Sequence, residues 1–235
     1  MSKKIYVSPS SQPKNIYAVG NTNEQEQCRK IAVALVEDLH RCGFEAMTNL
    51  TGDMYKRAEE SDKWGADLHL PIHSNAYNNN VKGTVMFCYN TTGNGYKACK
   101  AIMETLAPIT PGTSDSIRAD KSLYEVWKPK ASTAYIEVGF HDNVEEAQWI
   151  IDNTNAIAEA ICKGVCNFYG VKYVADVAED VPAKTEEPKV EKKLYRVFNA
   201  AGKQTGAFYV EDNAFNEVRK QLQSGGAAKI TLSDK

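Results

Sequence analysis

The sequence has no apolar run long enough to cross a membrane, no surplus of one charge sign and no Cys-x-x-Cys pair. Each absence removes a class of protein. A spanning helix needs roughly 20 consecutive apolar residues. The apolar stretch after Met1-Ser2-Lys3-Lys4 is only Ile5-Tyr6-Val7. That is too short for a secretory signal, so the chain is expected to be made and first kept in the cytoplasm. A net charge of -2, from 28 Lys and Arg against 30 Asp and Glu, points to no nucleic-acid partner and no anionic membrane surface. The six cysteines, Cys28, Cys42, Cys88, Cys99, Cys162 and Cys166, then read as free thiols. Cys162 and Cys166 lie four apart in a helical pattern and read as part of a buried apolar stripe rather than as metal ligands.

What is present is enough apolar residue, 43% of 235, for a medium domain and a small one. Residues 4–7 read as an opening strand, and 8–13 turn the chain away from it. Cys28, Ile31, Ala32, Leu35, Val36 and Leu39 recur at helical spacing, with Gly43 as a stop. A second strand follows at 44–47, a charged surface helix at 54–64 and a central strand at 67–75. Residues 83–89 have strand composition and 96–106 helical composition. The stretch 108–130 reads as a loop region flanking a site, with strand-like pieces around Ile117 and at 123–127. Residues 134–140 make another strand, and helices are expected at 144–151 and 154–169, the first capped by Asn143. This alternation predicts an α/β domain over residues 1–173, a mixed, mainly parallel sheet flanked by helices.

Residues 174–192 are rich in Ala, Val, Glu, Lys and Pro without apolar periodicity, the composition of a linker. A small α+β domain is expected over 193–235. It would have strands at 194–198 and 206–210, a helix covering Ala214, Val218 and Leu222, and a return strand at 228–232. So small a unit buries little surface, and it is expected to form a homodimer or lean on a partner. Tyr195, Phe198, Phe208 and Tyr209 would serve its core, a dimer contact or stacking on sugars.

The chemistry centres on Asp67-Leu68-His69-Leu70-Pro71-Ile72-His73-Ser74-Asn75. Its alternation delivers His73 to the mouth of a sheet, where a neutral imidazole can face a metal ion. A histidine that only satisfies its own hydrogen bonds is the commoner case for one such residue. Glu24 falls at the start of a helix, where a carboxylate is also simply a favourable charge. Glu137 interrupts the strand Tyr135-Ile136-Glu137-Val138, and a carboxylate in a buried strand needs a partner or a task. Together these are the parts of a hydrolytic zinc site.

Asn23-Glu24 ahead of the Ile31-Ala32 helix, Ile72-His73-Ser74-Asn75-Ala76, and Ile136-Glu137-Val138-Gly139-Phe140 with Asp142-Asn143 carry a resemblance to a known family. From residue 4 to about residue 169 the chain resembles the zinc-dependent N-acetylmuramoyl-L-alanine amidases of bacterial autolysins and phage endolysins. The resemblance implies Glu24 and His73 as zinc ligands and Glu137 as the catalytic glutamate. It implies a peptidoglycan substrate cut between N-acetylmuramic acid and L-alanine. Asn75, His141 and Asn143 are assigned to substrate contact. The family places another zinc-binding histidine in the loop after the first strand, within an Asp-x-Gly-His-like motif. This chain has Ser8-Pro9-Ser10-Ser11-Gln12 there. Gln12 is the expected replacement ligand, with Ser11 and His141 as the alternatives. His69 shares a strand face with His73 at about 13 Å, too far for one ion, and His40 is assigned no role. The implied activity is wall hydrolysis, most naturally by a phage endolysin acting after release. A catalytically inactive amidase fold that regulates wall synthesis, and another zinc peptidase, remain the alternatives.

Overall fold

Strand and helix alternate in the computed structural model, which describes residues 2–175 and the strands at 194–199, 204–208 and 228–233. The chain divides into two compact units, Met1–Asp176 and Val177–Lys235. In the first, the order is β1 (Lys4–Pro9), α1 (Glu24–Arg41), β2 (Glu45–Thr48), α2 (Met54–Trp64), β3 (Leu68–Asn75), β4 (Val85–Cys88) and α3 (Asn94–Leu106). Then come β5 (Ser116–Ala119), α4 (Tyr124–Trp127), β6 (Ser132–Thr133), β7 (Tyr135–Phe140), α5 (Val144–Asp152) and α6 (Thr154–Tyr169).

The sheet runs β2-β1-β3-β7-β4-β5, with β6 paired to β3. From β2 to β7 all neighbours are parallel. β4 runs antiparallel to β7, and β5 parallel to β4. This is the mixed, mainly parallel sheet that the alternation predicts.

Its two faces differ in chemistry because side chains alternate along each strand. Ile5, Val7, Leu68, Leu70, Ile72, Ile136 and Val138 join Ile31, Leu35 and Leu39 of α1 and Ile157, Ile161 and Val165 of α6 in one apolar core. The residues between them, Tyr6, Ser8, His69, His73, Tyr135 and Glu137, belong to the opposite face. That face is polar and still largely closed to solvent.

Local signals set the element ends. Asn23 caps α1 by accepting from the Glu26 N–H at 3.0 Å. Asn143 caps α5 by accepting from the N–H groups of Glu145 and Glu146. Residues 123–127 depart from expectation: the strand-like piece is the short helix α4. An apolar run this short carries no period that separates the two conformations. α2 departs as well, since the expected surface helix buries Arg57, Ala58 and Ser61.

In the second unit β8 (Leu194–Asn199), β9 (Gln204–Phe208) and β10 (Ala228–Ser233) form an antiparallel sheet ordered β10-β8-β9. β9 begins before the expected 206–210. The helix expected over Ala214, Val218 and Leu222 lies outside the described residues. So do the linker from residue 176 and the side chains of Tyr195, Phe198, Phe208 and Tyr209. Among the described residues, no helix is long and apolar enough to cross a membrane.

α6 packs on α3 through Gly164, where an added Cβ would meet Ile102 Cα at 2.4 Å and Ala101 O at 2.9 Å. Gly164→Ala therefore forces the helices apart and is expected to cost about 1–3 kcal/mol. Urea unfolding measures it, and an unchanged midpoint would show that the crossing yields freely.

Candidate active site

His73, Glu24 and Glu137 come from a strand, a helix N-terminus and the neighbouring strand. β3 and β7 are paired in parallel with His73 opposite Glu137. α1 begins at Glu24, held by its N–H bond to Asn15 O at 2.9 Å. Its carboxylate is 1% exposed, and Oε1 lies 2.8 Å from His73 Nδ1. Asn15 Nδ2 donates to Glu24 Oε2 at 2.6 Å and to Gln12 Oε1 at 3.1 Å. Gln12 Nε2 stands 3.3 Å from His73 Nδ1. The Tyr135 ring stacks on the imidazole with centroids 4.6 Å apart, which fixes its plane.

A fourth group was not foreseen. Glu125, on α4, is 2% exposed, with Oε1 3.2 Å from His69 Nε2 and Oε2 3.9 Å from His73 Nε2. Ser8 Oγ donates to the same carboxylate, and Arg57 Nε donates to Ser8 Oγ at 2.9 Å. One carboxylate spans the two histidines. Nothing periodic in the sequence marks Glu125, because its segment reads as a strand. Arg57 is hidden by the charged composition around it.

Burial works against the charged form of His73. The nearby carboxylates of Glu125 and Glu24, with the charge of Glu137, outweigh it and push the imidazolium up to about 10. Burial likewise opposes ionisation of Glu125, but contact with both histidines brings it down to about 2. Glu24 is lowered against the effect of burial by His73, Asn15 and Ser10. Glu137 goes the other way. Burial raises it to about 8, with His73 opposing and Glu24 adding to the rise. Two atoms of the cluster, His73 Nε2 and Glu137 Oε2, are buried without a hydrogen bond.

The remaining sequence assignments divide. Gln12 reaches the cluster from the exposed loop after β1, whereas Ser11 has no contact with it among the hydrogen bonds described. Asn75, at the end of β3, lines a cavity of about 520 Å³ with Tyr77, Val85, Phe87, Arg118 and Phe140. His141, expected at the rim, is instead 5% exposed. It stacks on Tyr17, with Nδ1 2.8 Å from Ser74 O. Ser74 and Tyr17 hold the ring inside the fold. Asn143 is likewise used up: its Oδ1 caps α5 and its Nδ2 donates to Asn79 O at 2.9 Å. Both side chains make internal contacts in this fold. His40, left without a role, places Nε2 2.8 Å from Ala46 O.

A carboxylate and an imidazole thus converge beside a second glutamate on a mostly parallel sheet, an arrangement suited to hydrolysis. The model of the N-acetylmuramoyl-L-alanine amidase family matches residues 7–167, and the chain belongs to that family. The fold is shared with the catalytic domain of CwlV, an N-acetylmuramoyl-L-alanine amidase from Bacillus (Paenibacillus) polymyxa var. colistinus. There the identity is 16% and the TM-score 0.65, over 72% of this chain and 99% of that one. The CwlD amidase from Clostridioides difficile, solved in complex with the GerS lipoprotein, matches at 18% identity and TM-score 0.61, over 73% of this chain and 100% of that one. The catalytic domain of CD27L, an endolysin targeting Clostridia difficile, matches at 20% and 0.57, over 70% and 97%. No curated protein matches the sequence as a relative.

Removing the Glu125 carboxylate strands His69, His73 and Arg57 in a closed interior. Glu125→Ala is expected to cost about 3–5 kcal/mol. Guanidinium unfolding tests this, and a loss below about 1 kcal/mol would show that the carboxylate is dispensable.

Proposed function

We propose that the protein is a zinc-dependent hydrolase that cuts the amide between N-acetylmuramic acid and the L-alanine of the peptidoglycan stem peptide. The observation that carries this reading is the 2.8 Å approach of His73 Nδ1 to Glu24 Oε1, with Glu137 opposite His73 on the next strand. The donors suit a divalent cation. One imidazole faces the carboxylates of Glu24, Glu125 and Glu137, and the buried Glu137 Oε2 and His73 Nε2 lack hydrogen bonds. Glu24 and His73 would hold the zinc, with the Gln12 amide standing where the family has a histidine.

When bound, zinc supplies a Lewis acid that polarises the amide carbonyl and lowers the pKa of water toward ~7. Glu137 holds the proton taken from the attacking water and passes it to the leaving nitrogen. Tyr135 and Glu125 keep the His73 ring from turning. The cavity lined by Asn75 and Phe140 offers room for the glycopeptide, since Val85 on its wall pairs with Glu137.

The setting we favour is a phage endolysin, made in the cytoplasm and acting on the wall after release. Residues 174–192 would tether the second unit as a wall-binding or homodimer-forming module and raise the local concentration of enzyme on an insoluble polymer. Support comes from the two-unit organisation and from the fold shared with an endolysin catalytic domain.

Mass spectrometry of digested cell wall tests the bond assignment, with free L-alanine amino termini as the expected product. Glu137→Ala should lower cleavage by about 10²–10⁴-fold while zinc content stays unchanged. Chelation, or Glu24→Ala, should remove zinc and activity together. A folded, zinc-free chain that binds wall without releasing amino termini would mark an inactive regulator instead.

An amide oxygen is a weaker zinc ligand than an imidazole. Gln12→His is therefore expected to tighten zinc binding on the order of tenfold or more, read by competition with a chromogenic chelator. Unchanged affinity would remove Gln12 from the ligand set.

A further inference from the structure

Three sulfur atoms meet at a place that the wall chemistry does not use. Cys42 closes α1, while Cys162 and Cys166 stand one turn apart on α6 and so share a helix face. The three Sγ atoms lie within 4.8 Å of one another, and those of Cys42 and Cys162 are 3.7 Å apart. Cys162 and Cys166 are fully buried and Cys42 is 7% exposed. The chain leaving α6 folds back over them. The Val174 N–H donates to Cys42 Sγ at 3.3 Å, and Val174 O lies 3.7 Å from the same sulfur.

We propose that Cys42, Cys162 and Cys166 form a second metal centre, a three-thiolate site for a thiophilic d¹⁰ cation of the zinc(II) class that staples α1, α6 and the Val174 backbone together. Zinc–sulfur bonds of about 2.3 Å in tetrahedral geometry separate neighbouring sulfurs by roughly 3.8 Å. The sulfurs here already stand near that spacing, so closure needs side-chain shifts of about 1 Å or less. An N–H donating to sulfur stabilises a thiolate and orients it, the outer contact that metal-bound cysteines use. Water, or Val174 O in place of its present bond from Arg41 Nε at 3.2 Å, would fill the fourth position. The slight exposure of Cys42 provides access for the ion.

Each thiol gives up its proton to solvent as its metal–sulfur bond forms. A disulfide is the competing use of this cluster, but it joins two sulfurs and leaves the third idle. A metal engages all three.

The inference is independent of the hydrolytic reading, because the proposed catalytic ligands include no sulfur. Reduced, chelator-treated full-length protein is titrated with cadmium(II), whose sulfur-to-metal charge-transfer band in the ultraviolet reports thiolate ligation alone. The band should saturate with release of about three protons per chain at that site. Zinc at a hundredfold excess over its dissociation constant should raise the melting midpoint by about 5–10 °C. Cys162→Ala and Cys166→Ala should each lose most of the band. Cys28→Ala, beside Glu24, should retain it. A folded wild-type chain that shows no band, a Cys162→Ala variant that keeps it in full, or a metal-free Cys42–Cys162 disulfide in the protein as purified would overturn the proposal.

Discussion

The molecule is organised around one electrostatic constraint: carboxylates of Glu24, Glu125 and Glu137 converge on a single imidazole inside a fold. Groups of this kind are expensive to bury unless each has a partner. His73 meets Glu24 through Nδ1 and approaches Glu125 through Nε2, while Arg57 reaches Glu125 by way of Ser8. Glu137 is the member least provided for, and burial shows directly in its raised pKa. A group left in that condition is chemically poised in a way that its paired neighbours are not.

The sheet makes this arrangement affordable by separating two jobs. Its apolar face packs on α1, α3 and α6 and carries most of the stability, so its other face can be polar and closed at once. α2 and α4 complete that polar face by contributing Arg57 and Glu125. α1 serves both sides, since Ile31, Leu35 and Leu39 enter the core while its first residue, Glu24, reaches around the strand ends to His73. The positive end of the helix dipole also favours a carboxylate at that position.

Family membership and local departure are compatible here. The order Glu24, His73, Glu137 is the one the family resemblance implies, and β3 and β7 set His73 opposite Glu137. The loop after β1 carries an amide where an imidazole is usual, and Gln12 nevertheless stands within 3.3 Å of His73. Asn15 ties Gln12 and Glu24 into one network.

The likeness to the family picked out Glu24, His73 and Glu137, whereas local pattern alone determined the strand–helix alternation, the capping by Asn143 and the mainly parallel sheet. Those features rest on side-chain periodicity and on contacts between near neighbours, which a linear chain records. Only the tertiary structure decided that residues 124–127 form a helix bearing Glu125, that Arg57 turns inward, and that His141 and Asn143 are spent on internal contacts. It alone brought Cys42 to Cys162, 120 positions away. Partners so distant impose no period and no shared motif on the chain between them; they meet because the sheet and helices pack, and packing has no signature at any one position.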